Sequence, residues 1–214
     1  MSDHQTPILI VGTDPEARIA LEIADSLDVL AFGFITEEPD EVNKEMNDIL
    51  VVAELGQKDA DTLLNDKNVK VVIAATQASD RRDLMEAVKT HDAEMVTLVH
   101  PSAQISQHAK LEKGCLVNAG VTISPNVLVG DFAYIGAQVS IDVDAEIGDF
   151  CTINDGARIG RGCFVDEDAY IGHGAILFPG VKVGHKAMVA AGAVVLQDVP
   201  DDASVVGNPA KAVG

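Results

Sequence analysis

The chain has 214 residues, of which 47% are hydrophobic, enough to form a core in one large domain or two small ones. Its formal net charge of −19 makes phosphate backbones and anionic lipids poor partners, so we expect neither nucleic acid nor membrane binding. The first residues do not have the pattern of a signal peptide. Three cysteines with no close pair favour a reducing, cytoplasmic compartment over a disulfide framework.

The first hundred residues alternate predicted strands and helices. An apolar run at 7–11 predicts a buried parallel strand that ends at Gly12. Asp14 and Pro15 then suit the N-cap and first residue of a helix whose apolar side chains recur every three or four residues to Leu27. Further strands are predicted at 29–35, 49–53, 68–75 and 95–99, and helices at 58–65 and 79–90. This alternation predicts a Rossmann-like α/β domain over residues 1–98.

The loop after the first strand is a weak candidate for a nucleotide site. It contains a single glycine, Gly12, and lacks the GxGxxG pattern of dinucleotide-binding loops. The acids Asp14 and Glu16 would repel a pyrophosphate. The loop is therefore either an ordinary strand-to-helix turn or the contact for a neutral base or sugar.

From residue 99 the sequence repeats every six residues. Position 99 and every sixth position through 195 are aliphatic, and the fifth place of each hexad is Ala, Val or Cys, which accounts for all three cysteines. The second place is often Gly, Asn or Asp, which suggests a turn with unusual backbone angles there. Each hexad therefore predicts a short strand and a corner, stacked into parallel ladders around a narrow core over residues 99–200. Residues 201–214 are assigned to a C-terminal tail.

These hexads, the ending Val205-Val206-Gly207-Asn208-Pro209-Ala210-Lys211 and the junction Leu98 to Ala103 resemble the hexapeptide-repeat sugar acetyltransferases. Within that family they are most similar to the enzymes that N-acetylate nucleotide-linked amino sugars, such as N-acetylbacillosamine and perosamine enzymes, with sialic acid O-acetyltransferases nearby. The resemblance implies an all-β left-handed parallel β-helix behind the α/β domain. It also implies a homotrimer that uses acetyl-CoA and no metal.

The resemblance also implies contacts for both substrates. In such enzymes acetyl-CoA lies in a groove between neighbouring β-helices and the nucleotide rests on the front domain. Carried over by position, the coenzyme contacts are Thr152, His173, Ala191, Lys186 and Lys211. The front-domain contacts are Asp14, Pro15, Glu16, Thr36, Glu37, Thr76 and Gln77.

The hexad that should carry the catalytic histidine has lost it. The family places this histidine third in its hexad, followed by an acid, and the matching residues here are Val143 and Asp144. His173 and His185 lie five and seven hexads further on, which is not a multiple of three, so we expect them on other corners of the coil. Asp142 and Asp144 are the remaining candidates for a catalytic role, the alternative being that they form an acidic, solvated edge.

The missing histidine favours an amine acceptor over a hydroxyl acceptor. A neutral amine is already a nucleophile and becomes acidic only after it attacks the thioester, so a weak base is sufficient. A hydroxyl must lose its proton during attack and needs a tuned base. The sequence therefore predicts an N-acetyltransferase for a nucleotide-linked 4-amino-deoxysugar. The alternatives are a sugar O-acetyltransferase and a non-catalytic, CoA-binding trimeric scaffold.

Overall fold

The computed structural model describes residues 6–213. The chain divides after Pro101 into two compact units, a mixed α/β unit and an all-β unit. His4, which the sequence gives no role, lies outside the described residues.

The first unit contains a six-stranded sheet in the order β3-β4-β2-β1-β5-β6. All neighbouring strands are parallel except β3 and β4. The strands are β1 (Ile8–Val11), β2 (Ala31–Thr36), β3 (Glu45–Met46), β4 (Ile49–Glu54), β5 (Lys70–Ile73) and β6 (Glu94–Met95), and the helices are α1 (Pro15–Ser26), α2 (Lys58–Leu64) and α3 (Ala78–Val88), with a 3-10 turn at Pro39–Glu41. Because β1 lies between β2 and β5, the loops that follow these three strands meet at one edge of the sheet.

Two local predictions for this unit were wrong. The single strand predicted at 95–99 is two strands, β6 and Leu98–Val99, separated by Val96 and Thr97. The strand β3, which the sequence did not predict, forms a hairpin with β4 through Asn47 and Asp48. Both turn residues have positive φ, as a tight two-residue hairpin turn requires, but neither is the glycine that usually signals such a turn.

The second unit is a parallel β-helix built from two-residue strands. Leu116 pairs with Tyr134, eighteen residues later, so three hexads form one triangular coil. The strands of face 1 are Leu116–Val117, Tyr134–Ile135, Thr152–Ile153, Tyr170–Ile171, Met188–Val189 and Ser204–Val206. Those of face 2 are Gln104–Ile105, Thr122–Ile123, Ser140–Ile141, Arg158–Ile159, Ile176–Leu177 and Val194–Val195. Those of face 3 are Lys110–Leu111, Leu128–Val129, Glu146–Ile147, Phe164–Val165 and Lys182–Val183.

The core of the β-helix is formed by the first and fifth places of the hexads. Every first place from Val117 to Val195 and every fifth place from Cys115 to Ala193 is buried. The three cysteines are buried among these small fillers and form no disulfide. Burial raises the pKa of the Cys163 thiol, which keeps it protonated and unreactive.

The prediction that second-place residues adopt unusual backbone angles was wrong. Positive φ occurs at the fourth place instead, for example at Asn126, Asp144 and Gly162. Second-place glycines are required by close packing between coils: a Cβ on Gly148 would lie 2.7 Å from the backbone nitrogen of Glu167. The hexad therefore has two special positions: the second place, where close packing between coils requires glycine, and the fourth place, where φ is positive.

Many acidic side chains serve the corners of the coils. At the second place, the side-chain oxygens of Asn118, Asp142 and Asp166 accept a hydrogen bond from the backbone N–H of the next residue, at 2.6, 2.7 and 2.8 Å. At the third place, Asp149 and Asp155 accept from backbone N–H groups one coil earlier, both at 2.8 Å. Part of the strong negative charge is therefore structural.

The last coil is two residues shorter than the others. Val183 pairs with Val199 and Met188 pairs with Ser204, each sixteen residues apart. Residues 201–213, expected to be a tail, continue the fold, because Ser204–Val206 extends face 1 and Lys211–Val213 pairs antiparallel with it.

We predict that Gly148→Ala destabilises the protein strongly while Gly162→Asn is tolerated. The new Cβ at position 148 meets backbone atoms that cannot move without separating two coils, at a cost of about 1–3 kcal/mol. Position 162 faces open space. Asn126, which lies two coils earlier at the same corner, has a similar positive φ. Thermal unfolding of both variants tests this, and equal melting temperatures would contradict the assignment of the two glycine positions.

Candidate active site

A small crevice lies in the first unit at the carboxyl ends of β1, β2 and β5. Its volume is about 120 Å³. It is lined by Gly12, Thr13, Asp14, Thr36, Glu37, Glu38, Ala75, Asp80 and Leu84. Of the predicted front-domain contacts, it brings together Asp14, Thr36 and Glu37. Pro15, Glu16, Thr76 and Gln77 are not among the lining residues.

Hydrogen bonds fix the walls of this crevice. Thr36 is only 1% exposed; its hydroxyl donates to Glu41 at 2.8 Å and accepts from the Glu38 N–H at 3.0 Å. The sequence suggested that Asp14 caps α1, but its side chain makes no capping hydrogen bond. Its carboxylate instead accepts a hydrogen bond from the Thr76 N–H at 3.1 Å. The Thr76 hydroxyl in turn donates to Glu16. The acids near the crevice thus tie the loop after β1 to the loop after β5.

The crevice has a strongly negative lining. Partial burial, together with the charges of Asp80, Asp83, Glu38 and Asp14, raises the pKa of Glu37. The buried Arg81 donates to the carbonyl oxygens of Ala75 and Thr76, both at 3.0 Å. The crevice therefore offers mainly hydrogen-bond acceptors, which suit the N–H and O–H groups of a ligand.

In the second unit, Asp142, Val143 and Asp144 form the corner between face 2 and face 3. Asp142 is half-buried and binds the N–H of Val143, the same local bond that Asp166 makes at another corner. Asp144 is exposed, has a φ of 59°, and accepts from the Asn126 side-chain amide at 2.9 Å. The position at which the resemblance predicts a histidine is therefore filled by a valine between two carboxylates.

A groove of about 300 Å³ runs along face 2 beside this corner. It is lined by Thr122, Ser124, Ser140, Ile141, Asp142, Arg158, Ile159, Gly160, Ile176 and Leu177. Asp142 therefore faces a groove, whereas Asp144 is not among its lining residues. The sequence analysis missed Arg158, although the repeat places it directly before the inward-facing Ile159 and hence on the outer surface of face 2.

The predicted coenzyme contacts do not all lie together. His173 and Ala191 are exposed on the corner between face 1 and face 2, one coil apart, and the Gly192 N–H donates to the His173 carbonyl at 2.8 Å. Lys186 lies on the corner between face 3 and face 1, and Lys211 is in the terminal strand. Thr152 is on face 1 and only 3% exposed, so it offers almost no surface for binding.

The face 2 groove thus lies between two corners of the coil that carry predicted site residues. One corner carries His173 and Ala191, and the other carries Asp142 and Asp144. His173 follows a face 1 strand and His185 a face 3 strand, so neither shares the corner of Val143, as the hexad spacing predicted.

Among residues 6–213, no group of three or more His, Cys, Asp or Glu side chains has the geometry to hold a metal ion. Within the same range, no helix has the length and apolar character needed to cross a membrane.

Comparison with known proteins supports the predicted resemblance. Residues 156–197 match the family described as the hexapeptide repeat of succinyl-transferase. No curated protein matches the chain.

Several solved structures match nearly the whole chain. The acetyltransferase domain of PglB from Neisseria gonorrhoeae, in complex with acetyl coenzyme A, is 24% identical over 97% of this chain and 99% of its own, with a TM-score of 0.86. PerB from Caulobacter crescentus, in complex with CoA and GDP-perosamine, is 26% identical over 97% of both chains, with a TM-score of 0.79. WeeI from Acinetobacter baumannii is 21% identical over 97% of this chain and 99% of its own, with a TM-score of 0.86. The predicted resemblance to hexapeptide-repeat, left-handed β-helix sugar acetyltransferases is therefore confirmed.

We predict that Glu37→Gln stabilises the protein at neutral pH. A carboxyl whose pKa is raised by folding lowers the free energy of unfolding at any pH where it is ionised in both the folded and the unfolded protein. At a pH below its pKa in both states, this cost is absent. The melting temperature of the variant should therefore exceed that of the wild type at pH 7. The difference should shrink as the pH falls through the raised pKa of Glu37 and should be absent below 4.5, the usual pKa. Glu22→Gln, an exposed change on α1, serves as the control, and a gain that grows towards acid pH would contradict the prediction.

Proposed function

We propose that the protein transfers the acetyl group of acetyl-CoA to the amine of a nucleotide-linked amino-deoxysugar. One observation carries the proposal: the chain has the fold of PerB along 97% of both chains, and PerB was solved with CoA and GDP-perosamine bound. A related structure from the same organism is described as GDP-perosamine N-acetyl transferase.

The face 2 groove is the proposed path of the coenzyme's pantetheine arm. It joins the corner of His173 and Ala191 to the corner of Asp142, so a thioester at one end reaches the carboxylate while the rest of the coenzyme extends towards His173. Lys186 and Lys211 are placed elsewhere on the coil and are proposed only as outer phosphate contacts.

The crevice of the first unit is the proposed site for the nucleotide. Its acceptors, Asp14 and Glu37 together with loop carbonyls, suit the N–H edge of a base or the hydroxyls of a ribose. Its negative charge disfavours the diphosphate, which has to lie outside the crevice. Glu16, Thr76 and Gln77 are proposed to support these loops, since Thr76 bonds both Asp14 and Glu16.

The transfer needs no histidine when the acceptor is a neutral amine. The amine nitrogen attacks the thioester carbonyl carbon, the C–S bond breaks and the CoA thiolate leaves. The proton of the resulting ammonium passes to a carboxylate or to water. Asp142, which lines the groove, and Asp144 beside it hold the neutral amine by accepting hydrogen bonds from its N–H groups, and they then accept this late proton. Two Caulobacter variants in which a histidine is replaced by alanine or asparagine were solved with CoA and GDP-perosamine bound, so binding in that enzyme does not require that imidazole.

We also propose that the active form is a homotrimer in the cytoplasm. Leu128 and Phe164 are 47% and 38% exposed in a second groove, on face 3, and this apolar surface would be covered by a neighbouring coil. The three free thiols fit a reducing compartment.

A substrate panel tests the function. Thiol release from acetyl-CoA is followed with UDP-, GDP- and dTDP-linked 4-amino sugars and with the matching hydroxyl sugars, at equal concentrations. We expect turnover with at least one amino sugar and none with its hydroxyl counterpart, because the position expected to carry a histidine base is Val143. Turnover with a hydroxyl sugar alone would establish O-acetylation, and CoA binding without any turnover would establish a scaffold; both contradict the proposal.

A further inference from the structure

The crevice of the first unit lies where the strand order of its sheet reverses. From β1 the chain passes to β2 on one side, and it later returns to β5 on the other side of β1. In open α/β sheets, ligands bind outside the carboxyl ends of the strands at such a switch point. The crevice volume of about 120 Å³ is well below the roughly 300–1,000 Å³ of pockets that enclose a whole small molecule. It therefore has room for one part of a nucleotide only.

The side chains that line this crevice are hydrogen-bond acceptors. Four of the nine lining residues carry a carboxylate, and none of the nine is Lys, Arg or His. The Thr36 hydroxyl donates its proton to Glu41 at 2.8 Å. The Thr13 hydroxyl, 3.3 Å from the Thr36 oxygen, donates to that oxygen, because Thr36 has no second proton to give. A ligand in the crevice consequently meets side-chain acceptors and has to supply the donors itself.

Glu37 keeps both of its carboxylate oxygens available. One carboxylate oxygen of Asp14 accepts from the Thr76 N–H at 3.1 Å, and one of Asp80 accepts from the Ser79 hydroxyl at 3.0 Å. Within residues 6–213, no hydrogen bond or ion pair engages the side chain of Glu37. A carboxylate with two free oxygens can accept two parallel N–H bonds at once.

Glu37 also stands among the other acids of the crevice. Partial burial raises the pKa of its carboxyl, and the charges of Asp80, Asp83, Glu38 and Asp14 raise it further. Hydrogen bonds to the charged form of a carboxyl stabilise that form. A ligand that donates two N–H groups to Glu37 therefore supplies what the surrounding side chains do not.

Guanine is the nucleotide base that offers such a pair of donors. Its ring N1–H and its 2-amino group are adjacent and point the same way, so one carboxylate can accept both. Uracil and thymine present one ring N–H between two carbonyl oxygens, and adenine and cytosine present an amino group beside an unprotonated ring nitrogen. Each of these edges sets an acceptor against the second carboxylate oxygen, which leaves both acceptors unpaired.

We propose that the crevice selects guanine nucleotides, with the Glu37 carboxylate accepting hydrogen bonds from the N1–H and 2-amino groups of the base. This assignment rests on the proposed function and names the nucleotide to which the amino sugar is attached. The ribose and the diphosphate then lie outside the negative lining, towards solvent.

Calorimetric titration of GDP and UDP into the full chain at pH 7 tests the assignment. These two ligands share the ribose and the diphosphate, so a difference in affinity comes from the base. We expect GDP to bind roughly tenfold to a hundredfold more tightly, as for hydrogen bonds to a charged group. Inosine diphosphate, which keeps the N1–H but lacks the 2-amino group, should fall between the two.

Three variants assign the preference to a residue. In Glu37→Gln the preference for GDP should disappear, and because this variant is expected to be more stable than the wild type, unfolding does not account for the loss. Glu38→Gln removes the same charge from the same crevice, so it should change the affinities for GDP and UDP by the same factor. Glu22→Gln, on the exposed side of α1, should leave both affinities unchanged.

Several results would overturn the assignment. Equal affinities for GDP and UDP, tighter binding of UDP, or no binding of either would refute selection of guanine. A GDP preference that survives in Glu37→Gln, or that is lost in Glu38→Gln instead, would refute the role of Glu37. The titration uses no acetyl-CoA and no turnover, so failure of the proposed acetyl transfer is seen separately, as absence of thiol release with every sugar of the panel while GDP still binds selectively.

Discussion

The eighteen-residue register between coils is the constraint on which the second unit depends. Apart from Ser204–Val206 and Lys211–Val213, each strand is only two residues long and has no stability of its own. It forms because the coils before and after it supply its backbone hydrogen bonds. Exact repetition places equivalent hexad positions in columns, one above another. A side chain's hexad place and face therefore decide whether it is core, corner or groove, as they do for Arg158 on the outer side of face 2.

The same register explains how this acidic protein can carry many aspartates at the corners of its coils and still fold. Aspartates at the second and third places of the hexads accept hydrogen bonds from backbone N–H groups, and they do so at more than one corner of the coil. Asp142 and Asp166 make nearly identical bonds, yet Asp142 lines the face 2 groove and Asp166 does not. The bond to the backbone is thus the general role of the position, and facing the groove is what distinguishes Asp142.

The periodicity of the sequence predicted most of the β-helix, because hexad spacing directly encodes which side chains point inward. It also separated His173 from the Val143 corner by arithmetic alone. It could not explain the second-place glycines, since their cause is a backbone contact eighteen residues away in another coil. For the same reason the groove beside Asp142 and the Thr76 bond to Asp14 were not predicted: each joins residues distant in sequence.

The most direct test of a carboxylate-assisted transfer compares Asp142→Asn with Asp166→Asn, using the accepted amino sugar. Asparagine occurs naturally at this place, as Asn118 and Asn154, so both variants should fold and lose only a charge. We expect turnover to fall roughly tenfold to a thousandfold for Asp142→Asn, for Asp144→Asn or for both, and to stay near the wild-type value for Asp166→Asn. Near-normal turnover in Asp142→Asn, Asp144→Asn and the double variant would contradict the account and leave an enzyme that works by positioning alone.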